Sequence, residues 1–366
     1  MIVIIGAGVI GLGIAWRASQ RGLPVTLVDP APGSGASHVA AGMLTPVGEL
    51  QYGEEDHLRL GIDSRDRYPA FAAELAELTG VDVGHRAEGN LSVAYDGDDL
   101  AFLREQHEFQ SSLGLRTELL TGRECRRLEP MLAPSVRGGI LAPDDGSVDP
   151  RKVLRALTAA CAGIPVVRQR AREILVEDGR AKGVLLEDGQ TLGADQVVLA
   201  AGSWSGGLSD LPVRPVKGQI IRLRSPYPFL TRATRGLVQG FSMYLVPRPD
   251  GELVIGATQE EMGFDGRVTA GGLWELLRDA RALFPGVTEL EFTEVTASFR
   301  PGSPDNAPIL GPSAVRGLLY ATGHYRNGVL LAPLTADALA DVLAGGDLPE
   351  VARPFTAARF APLESR

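Results

Sequence analysis

The first thirty residues, MIVIIGAGVIGLGIAWRASQRGLPVTLVDP, restrict the fold more than any other stretch of this chain. Ile2 to Ile5 is a short apolar run suited to a strand buried on both faces. It leads into Gly6-Ala7-Gly8-Val9-Ile10-Gly11, a G-x-G-x-x-G turn, and then into a helical stretch that stops near Gly22. A second strand, Val25 to Val28, delivers Asp29, 18 positions after Gly11. Each glycine has a task. Gly6 permits the tight turn, Gly8 lets a pyrophosphate approach the backbone, and Gly11 lets the helix pack closely on the strand. The helix N-terminus favours the phosphate charge, and the acid accepts hydrogen bonds from a ribose hydroxyl. With strand, helix, second strand and terminal acid in order, the stretch reads as a dinucleotide site.

The same residues do not read as a secretory signal. No Lys or Arg precedes Ile2, and Gly6, Gly8, Gly11 and Gly13 interrupt the apolar run. A membrane span needs about 20 apolar residues, and Arg17 arrives too early. Length and composition agree with a globular protein of two domains or one elaborated domain: 366 residues, 44% hydrophobic, net charge −9. That charge disfavours a general nucleic-acid binder. The Arg-rich GRECRRLEP stretch reads as a solvated helix face. Cys125 and Cys161 have no ligand cluster beside them, and the five histidines show no metal-ligand spacing, so no metal is expected. The default compartment is a reducing cytoplasm.

Fingerprints of this kind serve NAD, NADP and FAD alike, so the rest of the chain must choose. After Asp29 comes PAPGSGASHVAAGMLTPVGEL, rich in small residues and too irregular for the next helix of a simple NAD domain. Gln196 to Ala200 reads as a strand ending in the tight turn Ala201-Gly202-Ser203. Leu318 to Ala321 is another, leading through TGHYRNG into a helical run from Val329 towards Leu343. Asp149 and Pro150 mark a further helix start. Strand-to-glycine-turn units at three separated places imply a nucleotide domain that the chain leaves and re-enters twice. The expected division is 1–83, 146–212 and 299–366 for that domain, with 84–145 and 213–298 inserted. The second insert alternates strand-like stretches with turns, as an antiparallel sheet does. The expected class is α/β, a Rossmann-like domain carrying an inserted antiparallel-sheet substrate domain.

These segments together resemble the D-amino-acid oxidase family of FAD-dependent flavoproteins, and within it the glycine oxidase branch linked to thiamine biosynthesis. The likeness covers nearly the whole chain through VIIGAGVIGLGIAW, ASHVAAGML, GSVDPRKV, VVLAAGSWS, RPVKGQIIRL, YLVPRPDGELVIGAT, RPGSPDNAPILGP and GHYRNGVLLAP. It implies non-covalent FAD in an extended form, roofed by the substrate domain's sheet. By the resemblance Gly6, Gly8, Val9, Ile10 and Gly11 hold the pyrophosphate, with Asp29 and Pro30 at the adenosine ribose. Ser37, Ala41, Gly42 and Met43 lie on the flavin side, Arg172 or Ala171 near the adenine, and Gly202 in the second glycine turn. His324, Tyr325, Arg326, Asn327, Gly328, Val329 and Leu330 wrap the flavin ring, and the helix after Asn327 points its N-terminus at it.

The catalytic set implied is Tyr244, Arg300 and Arg326, with Gln259 and Thr45 added at the substrate pocket. An amino-acid carboxylate wants a bidentate guanidinium, because two parallel charge-assisted bonds fix its plane as well as its position. Some glycine oxidases carry Met after the GAT triplet, where this chain has Gln259. Some have Gly two residues past the GML methionine, where it has Thr45, and Thr45 is expected to narrow the space near the flavin. Lys217 reads as a solvated lysine, Asp305 as a turn residue, and His324 as a backbone contact. The implied reaction is hydride transfer from a small amine or D-amino acid to flavin and on to oxygen, without a protein base. A homo-oligomer, dimer or tetramer, is expected. The alternatives are an oxidase of sarcosine or N-carboxymethyl amino acids, a binding protein that has lost turnover, and an NAD-dependent dehydrogenase.

Neither cysteine falls in a flavin motif, so the purified protein should be yellow and should release FAD on denaturation. Absorbance before and after protein removal checks this, and a colourless protein that ignores added FAD contradicts it.

Overall fold

The computed structural model describes residues 1–360; the last six positions of the segment 299–366 lie outside the described residues. Strand Ile2–Ile5 is central in a six-stranded sheet. The spatial order is Ile309–Pro312, Leu318–Thr322, Gln196–Leu199, Ile2–Ile5, Val25–Val28 and Val166–Val167. All neighbours are parallel except the edge pair Ile309–Pro312 and Leu318–Thr322. Alternation along the central strand divides its side chains between two cores. Ile2 and Ile4 pack with Leu12, Ile14 and Trp16 of helix Val9–Gln20 and with the helix Ala332–Leu343. Val3 and Ile5 pack on the other face against Ile174, Val184 and Leu186. These belong to a three-stranded antiparallel sheet, Ala171–Glu177, Arg180–Leu186 and Thr191–Gly193. Covering on both faces is what a near-continuous apolar strand requires.

The opening turn shows why two of its glycines are glycines. Gly6 has φ +103°, and a Cβ there would sit 2.3 Å from the Ala200 carbonyl oxygen. A Cβ on Gly11 would sit 1.9 Å from the Gly6 carbonyl oxygen, so the helix rests directly on the turn. Asp149 caps the helix Pro150–Ala160, accepting from the Arg151 and Lys152 amides at 2.9 and 3.3 Å. The last long helix starts later than its sequence suggests. A single turn closes from the Leu331 amide to the Asn327 carbonyl before regular helix begins at Ala332.

The second large sheet has eight strands, in the order Glu291–Gly302, Arg214–Arg224, Glu252–Gly256, Phe241–Pro247, Ala233–Val238, Asn90–Ala94, Gly138–Ala142 and Glu118–Thr121. Pairing is antiparallel except where Ala233–Val238 meets Asn90–Ala94, the point at which the two inserted pieces join in parallel. Strand Glu291–Gly302 runs through position 299, so Arg300 stands on this sheet. One face of the sheet carries Ile221, Leu245, Leu253 and Ile255 against helix Ala270–Leu283. The other carries Ile220, Val246 and Val254 towards Val39 and Ala41 of the nucleotide half. Among the described residues no helix is long and apolar enough to cross a membrane. The Arg-rich stretch forms the helix Gly122–Leu128, with Arg123 and Arg127 exposed.

Replacing Gly11 with Ala should lower the melting temperature and weaken FAD retention. The added methyl meets backbone rather than a movable side chain, and overpacking of this kind costs about 1–3 kcal/mol. Thermal unfolding with and without excess FAD measures it, and an unchanged melting temperature contradicts it.

Candidate active site

Between the parallel sheet and the eight-stranded sheet runs one cavity of about 1050 Å³. Its nucleotide end is lined by Gly6, Gly8, Val9, Ile10, Asp29 and Pro30. Helix Val9–Gln20 begins there with Gly8 as N-cap and no side-chain cap. Apart from the Val9 amide, its first-turn amides and the positive end of its dipole are therefore available to an anion. Asp29 is held by the Ala7 amide on one oxygen at 2.7 Å and the Ala31 amide on the other at 2.8 Å. A carboxylate has about four acceptor sites, so two remain for a ribose diol. Ser37 accepts from the Val9 amide at 3.0 Å. Arg172 lines the same end with Arg170 and Glu187, and Gly202 lines it at φ +54°.

In the middle of the cavity lie Ala41, Gly42 and Met43. Gly42 has φ +79°, and a Cβ on it would meet the Val148 carbonyl oxygen at 2.1 Å. Buried Arg248 ties this loop down, donating to the Val148 carbonyl at 2.9 Å and to the Ala41 carbonyl. Burial lowers its guanidinium pKa to about 10. Opposite, Tyr325 adopts φ +47° and donates its amide to the Pro301 carbonyl at 2.9 Å. The His324 ring turns away into the protein, 3.2 Å from the Thr335 hydroxyl, and burial lowers its pKa to about 3. That ring is neutral, and what His324 offers the cavity is backbone. Gly328 and Val329 complete this wall.

The other end is built by cross-strand register. Tyr244 stands opposite both Arg235 and Gly256 on its neighbouring strands. A Cβ on Gly256 would lie 2.4 Å from the Tyr244 hydroxyl oxygen, and one on Gly218 would lie 2.5 Å from an Arg300 nitrogen. Two glycines thus leave a floor on which a phenol and a guanidinium lie flat. Arg300 Nη1 donates to the Thr258 carbonyl at 3.1 Å and, more weakly, to the Lys217 carbonyl at 3.4 Å. It makes no ion pair among the described residues. Burial raises the Tyr244 pKa, and the charge of Arg300 opposes that shift, so the hydroxyl remains a neutral donor. Gln259 and Arg326 also line this end, and Arg326 donates to the Glu49 carbonyl at 3.3 Å. The group set suits the extended FAD that the resemblance implies: amides and an acid at one end, small and apolar residues between.

Several expected residues lie elsewhere. Gly11 is a packing residue under the turn and does not line the cavity. Thr45 is 1% exposed, its hydroxyl has no hydrogen-bond partner, and it stands behind the wall instead of narrowing the pocket. Asn327 and Leu330 face a separate small cavity, where Asn327 Nδ2 is 3.4 Å from His57 Nε2. Within the turn that closes from Asn327 to Leu331, Gly328 and Val329 line the large cavity, while Asn327 and Leu330 line the small one. Lys217 is not solvated: it is 1% exposed and paired with Glu260 at 3.0 Å. Asp305 is a turn residue, accepting from the Ala307 amide and Ser303 hydroxyl. Cys125 and Cys161 are both buried and free, away from the cavity.

The structure adds Glu49, Gln51, Arg235 and Ser242 to the lining of the substrate end. No motif marks them. The alternation of the strand Ala233–Val238 was the one available signal, since it puts a lone arginine on a face shared with Tyr244.

A family model described as FAD dependent oxidoreductase (DAO) matches residues 1–342. The bifunctional protein ThiO/ThiG of Trichormus variabilis is 37% identical over 346 residues, 93% of this chain and 52% of that protein. The chain therefore spans about half the length of such bifunctional relatives. Glycine oxidase of Geobacillus kaustophilus is 34% identical over 367 residues, covering 98% of this chain and 96% of the relative. A crystal structure of glycine oxidase from Geobacillus kaustophilus superposes with a TM-score of 0.91 at 33% identity, covering 97% of each chain. A fingerprint at the start, a glycine-floored arginine at the far end and a family match across nearly all of the chain agree: it belongs to the DAO family of FAD dependent oxidoreductases.

Proposed function

We propose that this chain is an FAD-dependent glycine oxidase. It oxidises glycine and other small amines or D-amino acids to the imine, which water hydrolyses to a 2-oxo acid and ammonia (or the amine, where the nitrogen is substituted), with oxygen reduced to hydrogen peroxide. The observation that carries this reading is Arg300, a cavity guanidinium with carbonyl partners and, among the described residues, no ion-paired carboxylate. Such a group awaits an anion, and an amino-acid carboxylate matches its fork. The names of the relatives, glycine oxidase and ThiO/ThiG, favour glycine and a role in supplying thiamine thiazole synthesis over the N-substituted alternative.

FAD, when bound, supplies the two-electron acceptor chemistry. The chain's own residues do the positioning. Arg300 clamps the carboxylate, and the Thr258 and Lys217 carbonyls hold its guanidinium plane. Tyr244 donates its hydroxyl to the same carboxylate from the strand Phe241–Pro247, with two strands of the sheet between it and the strand of Arg300, and Arg326 and Gln259 close the end of the pocket. Two contacts on one carboxylate fix its plane and the place of the α-carbon, and a held geometry of this kind carries a rate advantage. Among the described residues no free base lines this end. Glu49 faces Arg235 and Arg326, and His324 is turned away. The substrate amine therefore enters already neutral, its proton lost to water.

The same reading divides the chain into a cofactor part, 1–83, 146–212 and 299–366, and a substrate part, 84–145 and 213–298. The strand memberships support it, with Arg300 bridging from the last cofactor segment onto the substrate sheet. A cytoplasmic homo-oligomer, dimer or tetramer, completes the proposal, with no nucleic-acid or membrane partner.

Arg300→Ala should raise the KM for glycine by a few hundred- to a few thousand-fold, the value of a lost buried carboxylate clamp of about 3–5 kcal/mol. The flavin spectrum should stay near normal. Gly218→Ala removes nothing from Arg300 but displaces it, and a shift of that size costs on the order of 100-fold in kcat/KM. Near-normal kinetics in both variants would remove Arg300 from the site.

Glycine, sarcosine and D-alanine should be oxidised with graded efficiency and all ahead of D-phenylalanine. Peroxide formation gives kcat/KM for each. One methylene in a pocket is worth only about 1–3 kcal/mol, so a gradient is expected and not a single exclusive substrate. A preference for D-phenylalanine contradicts the small-amine reading.

A further inference from the structure

The substrate end holds three guanidinium groups where the clamp of one carboxylate needs one. Arg235, Arg300 and Arg326 line it as three units of positive charge, Glu49 is the carboxylate set among them, and Glu54 of the adjoining small cavity lies 3.8 Å from Arg326. A substrate clamped by Arg300 removes one unit. Two guanidinium groups then remain around Glu49. Its Oε1 lies 3.8 Å from Arg235 Nε and its Oε2 3.9 Å from Arg326 Nε. Arg235 Nε is buried without a hydrogen-bond partner, while Nη1 of the same group donates to the Gly48 carbonyl.

Glu49 is not free to swing away. Its carbonyl accepts from Arg326 at 3.3 Å and its amide donates to the Thr45 carbonyl at 3.1 Å. Just before it, the Val47 and Gly48 amides donate to buried Asp145 at 3.3 and 2.7 Å. Asp145 holds the loop from one side and Arg235 from the other, and between them they aim the Glu49 side chain at the gap between Arg235 and Arg326.

We infer that Glu49 is a specificity-determining residue whose carboxylate fills a second anion subsite, so that the site accepts amines with one carboxylate and rejects those with two. The inference rests on the reading that Arg300 clamps the first carboxylate. Without Glu49, Arg235 and Arg326 would receive a second carboxylate, as in iminodiacetate or D-aspartate. With it, that carboxylate meets a like charge in its place, and discrimination comes from a built-in repulsion. Glu54 stays near Arg326 at 3.8 Å but lines the small adjoining cavity, so Arg235 is the guanidinium that loss of Glu49 releases.

The test uses holoenzyme and Glu49→Gln, with Arg235→Gln added in a double variant. Peroxide assays give kcat/KM for glycine, iminodiacetate and D-aspartate. Flavin difference spectra give Kd for acetate and malonate, which are not oxidised. The wild type should favour the monocarboxylate in each pair. In Glu49→Gln the dicarboxylate-to-monocarboxylate ratio should rise at least about tenfold, the order of one desolvated charge contact, in both turnover and Kd. The double variant should lose that gain. A ratio that stays fixed while all constants weaken together overturns the inference and leaves Glu49 a structural residue. A Glu49→Gln protein that no longer holds FAD moves the test to Glu49→Ala, where an unchanged Kd ratio overturns it equally. Failure of the underlying reading looks different: acetate binding would then be insensitive to Arg300→Ala.

Discussion

A partly buried guanidinium given no carboxylate is costly, and the substrate end of this protein is organised around one. Arg300 rests on Gly218, donates to two backbone carbonyls and has no ion pair among the described residues. Neutral carbonyls hold its plane without cancelling its charge. The neighbouring Lys217 is neutralised by Glu260, so the surplus positive charge stays in the cavity. Charge left uncompensated in a partly buried place is a binding determinant for whatever anion completes it.

The glycines of the large sheet are the means. A sheet face normally presents a side chain at every second residue, which would lift an arginine and a tyrosine away from the strands. At Gly218 and Gly256 that layer is missing, and the Arg300 and Tyr244 side chains lie down into the two gaps. The same faces that bury Ile220, Val246 and Val254 against Val39 and Ala41 thus carry the polar end of the site a few residues away. Packing and binding share one surface.

Cofactor and substrate regions are also coupled through backbone. Arg248, on the loop after one strand of the eight-stranded sheet, holds the Ala41 and Val148 carbonyls of the cofactor side. The Tyr325 amide returns the favour, donating to the Pro301 carbonyl beside Arg300. Each half therefore sets the other's distance across the cavity. Loosening either contact would change substrate position and cofactor position together.

Consecutive residues of the sequence specify the nucleotide end. Strand, glycine turn, helix and Asp29 lie within thirty consecutive residues, and their spacing is dictated by local geometry that tertiary packing does not alter. It also marked Arg300, Tyr244 and Arg326, through segments whose resemblance to a known family is specific. It could not determine which neighbours face them. Arg235 meets Tyr244 only through the register of two strands, and Glu49 meets Arg235 only because Asp145, 96 positions later, pins its loop. Thr45 is walled off from the pocket, and Asn327 and Leu330 share a turn with Gly328 and Val329 but line a different cavity. Contacts set by strand register and loop closure join residues far apart in the chain, and no periodicity records them; only the tertiary structure decided what surrounds the arginine.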